Sequence, residues 1–297
     1  MRYLSLCSGI EAATVAWRSL GWQAVGFAEI EPFPCAVLAH HYPDVKNYGD
    51  FTKIDTEKLP PVDLVVAGTP CQDFSIAGRR AGMDGNRGSL TWQFARLVGK
   101  LRPQWLVWEN VPGILSIDSG RGFGAFIGRL AKLGYGVAYR ILDAQYFGVP
   151  QRRRRVFVVG YFGDWRCAAA VLFERHSLSG HPAPGREERS EVAGTFTSCA
   201  YDGGIGCRPD LAASGLVQVT QALTGRLGCG GQNRSMVRRL APRECERLQG
   251  FPDDYTAITY RNKPGADGPR YKALGNSMAV PVMRWIGERI RIVEEMK

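Results

Sequence analysis

The first 162 residues alternate between two hydrophobic periods, and that alternation leaves the chain few architectures. "RYLSLCS" (2–8), "QAVGFAEI" (23–30), "VDLVVAGTP" (62–70) and "QWLVWENV" (104–111) are short, almost continuously apolar runs. Strands of that kind are buried on both faces, as in a parallel sheet covered by helices. Between them lie segments with helical apolar spacing: "EAATVAWRSLG" (11–21), "PFPCAVLAHHYP" (32–43), "SLTWQFARLVGKLRP" (89–103) and a stretch near 122–133. Two more strands are expected in "GVAYRILDA" and "RRRVFVVGYF". The fold class this predicts is α/β, with a mainly parallel, doubly wound sheet.

The pattern breaks after about residue 163. "HSLSGHPAPGREERSEVAG", "CAYDGGIGCRPDLAASG" and "TGRLGCGGQNRS" are rich in glycine and small polar residues. Apolar runs such as "GLVQVTQAL" interrupt them, which argues for a loop-dominated second domain rather than a tail. Helical patterning returns in "APRECERLQGF" (241–251) and "SMAVPVMRWIGERIRIVEEM" (277–296). The expected division is a main domain of 1–162 plus 270–297 and a smaller, irregular domain of 163–269.

The formal net charge of +10 favours a polyanionic partner, through release of counterions. No apolar stretch is long enough to span a bilayer, so no membrane partner is expected. Glu11 breaks the apolar start of the chain and no small-residue cleavage site follows, so that start reads as a first strand in a cytoplasmic protein. None of the eight cysteines forms a CxxC pair, and thiols are expected rather than disulfides. Cys199, Cys207 and Cys229 with His176 or His181 fit no common zinc spacing, so no metal is expected.

Open parallel sheets gather their ligands at the carboxyl ends of their strands. Gly9, Glu29, Asp50, Pro70–Cys71 and Glu109–Asn110 should all converge there. Glu29 follows Gly9 by twenty positions, the spacing at which a turn glycine admits a cofactor and the next strand offers a carboxylate to ribose. The alternative is a plain turn and a solvated glutamate. With one glycine, an adenosyl cofactor without phosphates fits better than a dinucleotide.

Cys71 reads either as a buried filler, the commonest fate of a cysteine, or as a nucleophile. Pro70 and Gly68 around it favour presentation of the thiol. The glycine-rich segment that follows carries Arg79, Arg80 and Arg87, as expected of a loop over an anionic ligand, and arginines lower a thiol pKa. Glu109 ends an apolar strand, where burial raises a carboxyl toward general-acid range; the alternative is a structural cap. In "VPQRRRRVF" side chains alternate, so Arg153 and Arg155 share one face and Arg152 and Arg154 the other.

These pieces in this order resemble the cytosine-C5 DNA methyltransferases over nearly the whole chain. The matching segments are "SGIEAA", "EIEPF", "GD", "GTPCQDFS", "ENV", "QRRRR", "RRLAPRECERLQGFPDDY" and "YKALGNSM". The resemblance implies the fold of S-adenosylmethionine-dependent methyltransferases, with a target-recognition domain in the unmatched segment from about 163 to 237. It implies that Cys71 attacks C6 of a flipped cytosine, that Glu109 contacts N3 and the exocyclic amine, and that Arg155, and more loosely Arg153, hold Glu109 and the base. The implied cofactor is S-adenosylmethionine, with Glu29 at its ribose and Asp50 at its adenine. Cys7, Gly9, Ile10, Ile30, Phe51, Pro70, Leu90, Asn276 and Ser277 complete the implied pocket. The implied partner is double-stranded DNA, met by Gln72, Ser75, Arg79, Arg87, Arg152, Arg226, Gln232, Asn233 and Arg234. A monomer is expected, with a cognate restriction endonuclease as functional partner.

One departure stands out. The family's first motif has an aromatic residue and a second glycine where this chain has Cys7 and Glu11, so adenine stacking falls to other residues, Phe27 or Phe51. Alternatives are a tRNA methyltransferase with the same motifs, a catalytically inactive DNA-binding relative, and an unrelated thiol enzyme.

Overall fold

The computed structural model describes residues 1–70, 89–173 and 236–297, together with the strand at 216–219. Six strands make the main sheet: β1 (Arg2–Leu6), β2 (Gln23–Ala28), β3 (Leu64–Ala67), β4 (Trp105–Asn110), β5 (Tyr135–Asp143) and β6 (Arg154–Phe162). Their order is β2-β1-β3-β4-β6-β5. Neighbours from β2 to β4 are parallel, and β6 runs antiparallel to both β4 and β5. The sheet is therefore mainly parallel, as its apolar runs predict.

Side chains alternate between two cores. Tyr3, Leu64, Val66, Trp105 and Val107 enter one; Leu4, Leu6, Val65, Ala67, Leu106 and Trp108 enter the other. Every residue of β3 and β4 is buried, because the sheet is covered on both sides. The first core is closed by α1 (Ala12–Trp17), α2 (Pro32–His41), α5 (Trp165–Leu172) and α8 (Val280–Glu295). The second is closed by α3 (Leu90–Leu101) and α4 (Arg121–Lys132).

The helix α5 was not legible in the sequence pattern. Asp164 caps it, accepting from the Arg166 amide at 2.9 Å, and Ala168, Val171 and Leu172 are buried against the sheet unit. Residues 165–172 thus pack on the main sheet although they fall inside the span assigned to a small domain. The same holds for Leu240, Cys245, Phe251, Tyr255 and Ile258, around α6 (Pro242–Gln249), which share a core with Ile10 and Phe33. Of the rest of that span, β7 (Leu216–Val219) pairs antiparallel with β8 (Met236–Arg239), and β9 (Thr259–Tyr260) with β10 (Lys263–Pro264). A further helix, α7 (Asp267–Asn276), leads into α8. Among the described residues no helix is long and apolar enough to cross a membrane.

The carboxyl edge is level. Leu6 pairs with both Ala28 and Ala67, and Ala67 pairs with Trp108. The residues that follow β1, β2 and β3, at 7–9, 29 and 68, and Glu109 near the end of β4 therefore emerge side by side. The antiparallel β6 starts at this edge, with Asn110 opposite Val156, so Arg155 arrives beside Glu109.

Candidate active site

A cleft of about 380 Å3 opens at this edge, lined by residues 5–9, 11–13, Val66, Gly68, Glu109 and 276–278. Gly9 turns the chain with φ of 55°, a left-handed conformation glycine adopts freely, and a Cβ there would meet nothing within 4 Å. Its amide donates to Glu29 Oε2 at 2.7 Å, while Oε1 accepts from the amides of Ile30 and Glu31, both at 2.8 Å. Glu29 is thereby fixed across the top of β1 and β2. Asn47 fixes its backbone in turn, accepting from the Glu29 amide and donating to its carbonyl.

Glu109 is buried at the end of β4, and burial pushes its carboxyl pKa up while Arg155 and Arg153 oppose the rise. Arg155 Nε lies 3.2 Å from Glu109 Oε1, with both side chains mostly shielded from water. Gly68 is needed next to them: a Cβ there would stand 3.0 Å from Met278 Cε and 3.4 Å from Glu109 Oε2. Close approach, rather than a turn, is what this glycine provides.

Arg153 is almost completely buried, and burial pulls its pKa down to about 9, so it remains protonated at neutral pH. Its Nη2 donates to the carbonyls of Gly275 at 3.0 Å and Ser277 at 2.6 Å. Its hydrogen bonds thus hold the segment that carries Asn276 and Ser277, rather than Glu109. Arg152 and Arg154 are exposed on the other side, as strand alternation predicts.

The entrance to Pro70 is clamped. Asn110 Nδ2 donates to the Thr69 carbonyl at 2.8 Å, Trp108 Nε1 donates to Thr69 Oγ1 at 3.0 Å, and Thr69 Oγ1 meets Thr91 Oγ1 at 3.1 Å. Sequence reasoning missed Thr69 and Thr91 and gave Asn110 no role; their signal was only the hydroxyl and amide set inside apolar runs.

The sequence model described as C-5 cytosine-specific DNA methylase matches residues 1–183 and 211–291. The chain belongs to the C-5 cytosine-specific DNA methylase family. Among its relatives, the type II methyltransferase M2.BsuMI of Bacillus subtilis is 33% identical over 98% of this chain and 75% of its own length. A protein of Escherichia phage P1 named DNA N-6-adenine-methyltransferase is 34% identical over 97% of this chain, which spans 61% of that protein's length. In solved structures the fold is that of Spodoptera frugiperda DNMT2, with a TM-score of 0.69 at 18% identity over 99% of each chain.

Membership in the methylase family implies DNA as the class of substrate and S-adenosylmethionine as cofactor, and the residues at the edge fit that cofactor. The space over Gly9 is open, Glu29 Oε2 keeps a free lone pair beside it, and Glu11 Oε2 has no hydrogen-bond partner in the same cleft. Cys7, Ser277 and the exposed Asn276 line it too. Ile30 is 70% exposed right after Glu29. Asp50 is half-exposed and holds Thr52 through Oδ1, which keeps its pKa low.

Other expected members of the methylase pocket are not among the residues that line this cleft. Phe51 belongs to the same buried core as Leu4, Leu6 and Ala28, and Phe27 is fully buried, so neither ring is exposed as a face for adenine in place of the one missing at Cys7. The Ile10 side chain is also in the core, and its carbonyl accepts from Tyr255 Oη at 2.9 Å. Leu90 is half-buried at the start of α3, and Pro70 is exposed. Cys71, Gln72, Ser75, Arg79, Arg80, Arg87, Arg226, Gln232, Asn233 and Arg234 lie outside the described residues, as do the cysteines and histidines weighed for zinc.

Proposed function

We propose that this chain transfers a methyl group to C5 of a cytosine flipped out of duplex DNA, with Cys71 as the nucleophile. The observation that carries the reading is the single cleft shared by the Gly9 turn, Asn276–Ser277 and Glu109, with Arg155 entering beside it on the one antiparallel strand.

Cytosine C5 is too weak a nucleophile to take a methyl group unaided. The Cys71 thiolate adds to C6, which places electron density at C5. Glu109, whose neutral form burial favours, donates in its protonated state to N3 as charge gathers there. Arg155 fixes the direction of that carboxyl. The clamp of Asn110 on Thr69 sets where Pro70 and Cys71 leave the sheet. Bound S-adenosylmethionine supplies an electrophilic methyl group for C5. Loss of the C5 proton and departure of the thiolate then restore the ring. Extruding the base costs a few kcal/mol, repaid by contacts with the pocket and phosphates.

The cofactor roles carry that proposal further. Glu29 takes the ribose hydroxyls, Asp50 the adenine amine, and Ile30 covers the adenine face in place of an aromatic ring. Arg153 acts as a positioning residue, holding Asn276 and Ser277 at the cleft. The remainder of 163–269 supplies target recognition. The type II relative supports a modification role beside a cognate endonuclease.

The test is nucleoside mass spectrometry on DNA from a methylation-free host that expresses the chain. 5-Methyldeoxycytidine is expected, and absent with Cys71→Ser. N6-methyldeoxyadenosine, the product the phage P1 relative's name describes, would overturn the assignment.

A further inference from the structure

Glu11 occupies a position where the backbone calls for glycine. Its φ is 65° and its ψ 60°, a left-handed conformation that is strained for a residue with a Cβ. The side chain is 1% exposed. Oε1 accepts from the Thr14 amide at 3.2 Å and from Thr14 Oγ1 at 3.1 Å, which caps α1. Among the described residues no group meets hydrogen-bond geometry with Oε2, although the Ser5 hydroxyl acts on the carboxyl. A cap alone uses one oxygen, and Asn, Ser or Asp supply it at less cost in burial.

Among the described residues the surroundings of Glu11 are short of positive charge. Glu11 forms no ion pair among the described residues, and the residues lining its cleft include two carboxylates, Glu11 and Glu109, and no lysine or arginine. Glu109 has Arg155 beside it; Glu11 has nothing equivalent. Burial pushes the Glu11 carboxyl up to about 7, Glu29 adds to the rise, and the Ser5 and Thr14 hydroxyls oppose it. Tyr3, Tyr42 and Tyr255 face it from β1, the residue that follows α2 and the loop after α6, all neutral phenols that offer no cation.

We propose that Glu11 binds the α-ammonium group of the cofactor's methionine moiety. S-adenosylmethionine brings two cations to this cleft, and they differ in kind. The ammonium carries three N–H donors; the sulfonium carries none. An acceptor lacking a donor is satisfied by the first and not by the second, which must also stay open to the base. Oε2 is sealed from water before binding, so the carboxylate turns toward the cleft about its terminal torsion, a soft rotation. The unusual glutamate thus strengthens the grip on the amino-acid end of the cofactor, where Cys7 leaves the adenine end without an aromatic face. This assignment rests on S-adenosylmethionine being the cofactor.

The experiment is calorimetry on the full chain with three probes: S-adenosylmethionine, S-adenosylhomocysteine, which keeps the ammonium and loses the sulfonium charge, and methylthioadenosine, which lacks the amino-acid group. Glu11→Gln and Glu11→Gly are compared with the unaltered chain; the glycine variant suits the left-handed backbone and guards against a folding artefact. Both variants are expected to weaken the first two probes by about tenfold or more and methylthioadenosine by less than about twofold. Equal losses on all three probes would reduce Glu11 to a structural cap, and a loss confined to S-adenosylmethionine would put the carboxylate at the sulfonium; either overturns the proposal. Unchanged binding of all three also overturns it while leaving the cofactor reading intact. If the unaltered chain binds none of them, the cofactor reading itself fails.

Discussion

Asn110 Nδ2 donates to the carbonyl oxygen of Thr69 at 2.8 Å, with both groups buried and 41 positions apart in sequence. The contact ties the end of β4 to the residue that precedes Pro70 and Cys71. In the proposed mechanism Glu109 and Asn110 act on one centre from adjacent positions, the first on the base and the second on the backbone that leads to the thiol.

Asn110→Ala leaves the Thr69 carbonyl without its donor inside the protein. A loss of about 1–3 kcal/mol in stability is expected. Single-turnover methylation should slow by roughly 100-fold, since small misplacement of a nucleophile is costly. Calorimetric affinity for S-adenosylhomocysteine should stay unchanged. If affinity falls as much as rate, Asn110 supports the cofactor pocket and not the thiol.

The Glu109–Arg155 pair gives a pH signature. Burial raises the Glu109 carboxyl, and Arg155 is the larger of the two charges that hold it down. A protonated Glu109 is the active form, so rate falls as pH rises through its pKa. Arg155→Ala removes the restraint, and the descending limb of the pH–rate profile should move to higher pH even as the maximum rate drops. A limb that stays in place, or moves down, would remove Glu109 from the role of acid.

What could be read ahead of the structure was what local pattern controls. The apolar runs fixed β1 to β4, and their ends placed Glu29 and Glu109 on one edge. Strand alternation separated Arg153 and Arg155 from Arg152 and Arg154. The partners of Arg153 lie 122 and 124 positions away, and no local period carries such a pairing. Phe51 shows the same limit in reverse: an aromatic residue after Asp50 looks like a ring for adenine, yet it is buried in the core that also holds Leu4, Leu6 and Ala28. The helix α5 was hidden by the polar stretch that follows it, although Asp164 and the alanines of "WRCAAAVL" were a cap and a helical run.

Gly68 gives a steric prediction. An alanine Cβ would press on Met278 Cε at 3.0 Å and approach Glu109 Oε2 at 3.4 Å. The methionine tip can yield, so Gly68→Ala should cost only about 1 kcal/mol by thermal unfolding. The methylation rate should fall further than that, because the carboxyl is displaced. Adding Met278→Ala should return stability without returning the rate. Full recovery of both would show that the glycine serves packing alone.

Glu11 makes the folded chain pH-sensitive before any ligand binds. Its carboxyl is pushed up to about 7 from an ordinary value near 4.5. The folded state holds that proton more tightly than the unfolded state, so the contribution is complete below about pH 4.5 and gone above pH 7. Between pH 5 and 8 the unaltered chain should lose roughly 2–3 kcal/mol that Glu11→Gln does not lose, read from paired urea melts. Parallel pH curves for the two proteins would contradict the buried, unpaired state of this carboxylate.

The central claim is a transient bond between sulfur and a pyrimidine ring, and trapping it is the most direct measurement. Duplex DNA carrying 5-azacytosine in place of cytosine is incubated with the chain and S-adenosylmethionine, then denatured in detergent and resolved by mass. A complex that survives denaturation, with its link on the peptide containing Cys71 and absent in Cys71→Ser, is the predicted result. No stable complex, although the same preparation methylates ordinary DNA, or a link that persists in the serine variant, would contradict it.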